Sequence, residues 1–129
     1  MANTIAEFYS EELTDWSHNI DSCTQEIEEF EERLKEVIQR NNIPDIGAKV
    51  DHFQDMLTGI LNKFLLHQEE IYRQEGKLRT DSTPVENSSI TTETEKQQNL
   101  LRRGMQAAEK EYIDVKYACY DFLSGTLKK

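Results

Sequence analysis

Cysteine, proline and long apolar runs are all scarce in this chain, and each scarcity removes a class of answers. Among 129 residues there are two cysteines, two prolines and five glycines. Cys23 and Cys119 stand far apart with no CxxC spacing, so they form neither a disulfide framework nor a zinc knuckle and read as reduced core thiols. Pro44 and Pro84 leave long stretches in which nothing interrupts a helix. No segment approaches the roughly 20 apolar residues that a bilayer span requires, and Met1 to Phe8 lacks the basic and then apolar pattern of a secretory leader. The expectation is a soluble, cytoplasmic protein.

Positive charge is short as well. Lys and Arg number 15 against 25 Asp and Glu, a net charge of −10. Bases never cluster beyond Arg102-Arg103 and Lys128-Lys129. Nonspecific nucleic-acid binding rests on neutralising phosphates, and anionic membrane binding on a basic face, so neither nucleic acid nor membrane is an expected partner. The deficit is uneven: residues 1–43 hold 11 acids and 3 bases, whereas residues 92–129 hold 6 and 7.

What the chain does have is an apolar residue every fourth and then third position, in three stretches. The first runs Tyr9, Leu13, Trp16, Ile20, Cys23, Ile27, Phe30, Leu34, Val37. The second runs Ile46, Val50, Phe53, Leu57, Ile60, Phe64, His67, Ile71, Gln74, Leu78, and the third Leu101, Met105, Ala108, Tyr112, Val115, Cys119, Phe122. Such steps return side chains to one helical face and average the 3.5-residue repeat of a left-handed coiled-coil seam. The fold class expected is all-α: an up-down-up bundle of three long antiparallel helices with left-handed, coiled-coil-like packing.

Local chemistry places the helix ends. Thr4 to Glu7 fits a capping box that starts the first helix, expected over about 4–41. Asn41-Asn42-Ile43-Pro44 breaks it, since Pro suits only a first helical turn, and a second helix follows over about 45–78. Residues 79–90, rich in Ser, Thr, Asn and Asp around Pro84, read as a mobile solvated loop with no strand pair. Thr92 to Glu95 offers another capping box for a third helix over about 91–124, with Gly125 as its stop. Residues 1–129 then form one helical domain. The plan resembles that of a spectrin repeat, with three long helices and Trp16 in the first. This resemblance is one of architecture and implies no functional residue.

Catalytic and metal-binding patterns fare poorly. A dimetal bundle core needs inward carboxylates and histidines, yet no seam position is Asp or Glu and no Glu-x-x-His pair exists. Of the three histidines only His67 lies on a seam. Helical alignment sets it beside Ile20 and His18, with His52 about 22 Å away along the axis, too far to share a metal. Aligning helix ends in the same way separates Cys23 from Cys119 by about 18 Å. There is no glycine-rich phosphate loop and no Gly-x-Ser-x-Gly elbow. No enzyme activity, cofactor or metal is therefore expected. The i,i+4 pairs Glu29/Arg33, Glu31/Lys35 and Glu36/Arg40 mark a solvated face.

Two features exceed what a bundle needs. His67, Gln74 and Gln98 bring polarity to the seam, where it costs stability but fixes register; His67 is expected to be neutral and hydrogen-bonded. The second helix also adds Met56, Leu61, Leu65, Leu66 and Tyr72 to its seam, and the third adds Leu100, Ile113, Tyr117, Tyr120 and Leu123. These arcs are wider than one stripe, so Leu61, Leu65, Tyr117 and Tyr120 are the candidate interaction surface, for a homodimer or a helical protein partner. The expected function is a non-enzymatic interaction or structural module. The alternative is a helical bundle that binds a small molecule or metal at the polar core near His67.

Overall fold

A computed structural model describes residues 3–40 and 44–127. Helix α1 spans Ile5–Arg40, α2 spans Pro44–Lys77 and α3 spans Thr92–Leu127. The chain runs up, down and up, so α1 and α3 are parallel and α2 is antiparallel to both. At 36 residues, α1 and α3 are each about 54 Å long. The break expected at Asn41-Asn42-Ile43 and the Lys128-Lys129 pair lie outside the described residues.

The 4-3 residues make one core along the whole rod. Leu13, Ile20, Ile27, Phe30, Leu34 and Val37 of α1 are buried together with Leu57, Ile60, Phe64 and Ile71 of α2 and Leu101, Met105, Tyr112, Val115 and Cys119 of α3. Aromatic pairs knit neighbouring helices: Phe64 meets Tyr112 edge to face at 6.1 Å and Phe53 stacks on Phe122 at 5.2 Å between ring centres. Each fully buried Leu, Ile or Phe contributes about 1.5–3 kcal/mol. The helices persist because this stripe repeats with helical period, not because each residue favours a helix.

The caps differ in detail from the sequence expectation. The Thr4 hydroxyl accepts the Glu7 amide at 3.1 Å and donates to the Glu7 carboxylate at 3.1 Å. At α3 the cap is Thr91, one residue before the expected box, and its hydroxyl accepts the Thr94 amide at 3.1 Å. Gly125 does not stop α3, which continues to Leu127. Gly costs a helix interior only about 1 kcal/mol relative to Ala, and nothing crowds position 125.

The connection from α2 to α3 also departs from the expected irregular loop. Arg79–Thr80 (β1) and Thr83–Pro84 (β2) pair antiparallel around Asp81-Ser82. Both turn residues have positive φ, 50° and 68°, the backbone a two-residue hairpin requires and one that Asp tolerates. A 3-10 turn, Asn87–Ser89, then carries the chain across the start of α1, where the Asn87 side chain accepts the Ile5 amide at 2.9 Å. This excursion lowers the start of α3. Glu12 pairs with Arg102, Asn19 with Glu109 and Glu26 with Lys116, each 90 residues apart. Simple end alignment implies an offset about six residues smaller. Cys23 and Cys119 are therefore about 9 Å apart along the axis rather than 18 Å, and both are free.

Candidate interaction surface and polar core

Polarity enters the core near the hairpin end. Gln74 on α2 and Gln98 on α3 are 1% and 0% exposed, so their amides must find partners inside. The Gln74 amide nitrogen donates to the Thr94 carbonyl at 2.9 Å and to Gln98 Oε1 at 3.1 Å. Gln98 Nε2 in turn donates to the Tyr9 carbonyl at 3.2 Å and to Glu12 Oε1 at 3.1 Å. Arg102 closes the chain by gripping both Glu12 oxygens, Nε at 2.8 Å and Nη2 at 2.5 Å. One continuous network thus ties the three helices at a single level, and any axial slip would leave buried amides unsatisfied. The carboxylate of Glu12, hydrogen-bonded to Arg102, raises the guanidinium pKa, outweighing burial.

A second polar contact joins α1 and α3 at mid-bundle. Tyr112 donates its hydroxyl to Glu26 Oε1 at 2.6 Å, and Lys116 Nζ reaches both Glu26 oxygens at 3.0 and 3.1 Å. The Tyr112 hydrogen bond, opposed by burial and aided by Lys116, holds the Glu26 carboxyl below its ordinary value. Burial, then the bond to Glu26, pushes the Tyr112 phenol far upward. Cys23 beside this site and Cys119 in the core are each pushed up to about 11, chiefly by burial, so both are protonated, unreactive thiols at neutral pH.

His67 is not held as expected. It is half-buried, and its Nδ1 is buried with no hydrogen-bond partner, a condition shared by Gln68 Oε1 and Gln74 Oε1. The ring fills the space over Gly104: a Cβ there would lie 2.5 Å from His67 Cε1. His67 is a packing residue in the α2–α3 contact, seated where only glycine lets it approach. His18, near its level, is exposed on α1. Among the described residues no three His, Cys, Asp or Glu side chains cluster as a metal site, and no helix there is long and apolar enough to cross a membrane.

The structure divides the four residues of the candidate surface. Leu61 packs partly against the core, and Leu65 is 51% exposed. Gln68, one turn beyond Leu65 and two beyond Leu61, donates to Ser17 of α1 at 2.9 Å, so this stripe borders the α1–α2 groove. Tyr120 sets its ring edge-on to Phe30 of α1 at 4.9 Å and borders the α1–α3 groove instead. Tyr117, 63% exposed, lies at the outer pole of α3. The two pairs therefore belong to different faces rather than one patch. Further apolar side chains point outward: Tyr72 at 81%, Leu66 at 62% and Leu100 at 60% exposure.

Sequence reasoning missed the bridges flanking the core, although a signal existed. Glu12, Asn19 and Glu26 recur every seven residues beside the first seam, as Arg102, Glu109 and Lys116 do beside the third. The three sets meet at a constant offset. On the other side of α3, Lys63 Nζ meets Glu111 at 2.6 Å. By contrast Glu29/Arg33, Glu31/Lys35 and Glu36/Arg40 form no ion pair among the described residues, in keeping with the small free energy of exposed pairs. Compared with family models, curated proteins and solved structures, the chain matches none.

Proposed function

We propose that the chain is a non-enzymatic helical interaction module, a stiff bundle whose outer faces bind another helical surface. The observation that carries this reading is the set of large apolar side chains left outside a core that is already complete. Tyr72, Tyr117, Leu66 and Leu100 are each at least 60% exposed, while a continuous set of buried apolar residues fills the interior from Ala6 to Leu123. Their exposure adds nothing to folding and supplies the apolar anchors that protein interfaces use. The buried network at Gln74 and Gln98 supports the same reading, because it holds these faces in a fixed relation along the rod.

The test compares the unmodified chain with Leu65→Glu and Tyr117→Glu, by light scattering and by pull-down. A charge at an exposed site leaves the helical content unchanged. If it reduces self-association or partner capture, the reading stands. A chain that stays monomeric at high concentration and captures no protein loses it.

A further inference from the structure

The face formed by α1 and α3, on the side away from α2, carries two parallel strips of opposite sign. On α1, Asp15, Glu29 and Glu36 are exposed and in no ion pair among the described residues, with Arg33 and Arg40 the bases in the neighbouring row. On α3, Arg103 and Lys110, in the same row as Tyr117 toward the outer pole, are likewise exposed and in no ion pair among the described residues, and Glu109 is the acid between Arg102 and Lys116. Glu12–Arg102 and Glu26–Lys116 join the strips along their inner edges. Apolar side chains lie in the same face: Phe8 on α1, and Ile113 and Tyr120 on α3, each about half exposed.

Resting on the association reading above, we propose that this face binds a second copy of the chain, about a two-fold axis parallel to the helices. Rotation about such an axis sets the acidic α1 of each copy against the basic α3 of the other. It preserves height along the rod, so the intramolecular offset of 90 residues also governs contacts between copies. Asp15 then stands near Arg103 of the second copy, and Glu29 near Lys116 and Tyr120. A two-fold perpendicular to the helices would set acid against acid and is rejected by the same charges. The area agrees. A strip of about 22 residues is about 33 Å long and about 10 Å wide, or about 330 Å². One strip falls well short of the roughly 800 Å² per partner of a stable interface, whereas two reciprocal strips approach it. The symmetry is closed and isologous, so association stops at the dimer.

Two reciprocal charge variants test this by sedimentation velocity on the full chain, with circular dichroism as the check on folding. Asp15→Lys with Glu29→Lys makes both strips basic, and Arg103→Glu with Lys110→Glu makes both acidic. The unmodified chain is expected to dimerise, each variant alone to be monomeric, and their equimolar mixture to form a heterodimer. The neutral pair Arg103→Gln and Lys110→Gln, which perturbs folding least, should weaken the unmodified dimer about tenfold. A monomeric unmodified chain overturns the second copy as occupant, and capture of other proteins then judges the association reading separately. A dimer indifferent to both variants overturns this face while leaving association intact, and a mixture that stays monomeric overturns the reciprocal geometry.

Discussion

Replacing Gly104 by alanine sets two effects of known size against each other. Helix propensity favours alanine over glycine by about 1 kcal/mol. Against this, the new Cβ would lie 2.5 Å from His67 Cε1, 3.3 Å from Nε2 and 3.4 Å from Nδ1, where carbon contacts are normally about 3.5–4 Å. The ring has to swing outward or the helices separate, at about 1–3 kcal/mol for overpacking. A ring torsion forced off its minimum adds about 0.5–1.5 kcal/mol. The clash wins, so Gly104→Ala should lower stability by about 1–2 kcal/mol. In a His67→Ala background the obstacle is gone and the same substitution should raise stability by about 1 kcal/mol. The assay is urea unfolding followed by circular dichroism on the four chains of a double-mutant cycle, whose coupling should be about 2–3 kcal/mol. Equal effects of Gly104→Ala in both backgrounds would refute the packing role given to His67.

Three further outcomes follow from the core and its polar contacts. Phe64→Ala should cost about 3–5 kcal/mol, while the exposed Glu32→Ala should cost well under about 1 kcal/mol, both read by denaturant midpoints. Because the folded-state pKa of Glu26 is depressed, its contribution is complete above the unfolded carboxylate pKa and is lost as pH falls through the lower folded value. Acid unfolding curves should therefore show a stability loss below the ordinary carboxylate range that Glu26→Gln removes. With both thiols pushed up to about 11, a thiol reagent at neutral pH should label the folded chain slowly and the urea-unfolded chain fast. Rapid labelling of Cys119 in the folded state would contradict its burial.

Much of the fold was legible because burial here follows one period. Residues such as Ile20, Ile27 and Leu34 recur every seven positions, and that regularity alone predicts their face. Gln98 was legible as polarity one step ahead of Leu101 on the same row. The hairpin was not, because Asp81-Ser82 occupies a turn usually announced by Asn-Gly, and short exposed strands leave no alternation to read. The hairpin also governs where α3 begins, so the 90-residue offset and the separation of Cys23 from Cys119 escaped a reading that aligned helix ends. Gly104 gave no hydrophobic signal although it seats His67. The candidate surface was half legible. Exposure of Leu65 and Tyr117 follows from their places off the seam, but the division of Leu65 and Tyr120 between two grooves depends on which flank of each helix meets α1, and a single helical pattern does not contain that.

The association of the unmodified chain tests the account most directly. In sedimentation equilibrium from dilute to concentrated solution, the apparent mass should rise from one chain toward two and level there, as a closed two-fold pairing of the α1–α3 faces requires. A mass that stays at one chain throughout, or that climbs past two without a plateau, would contradict that pairing.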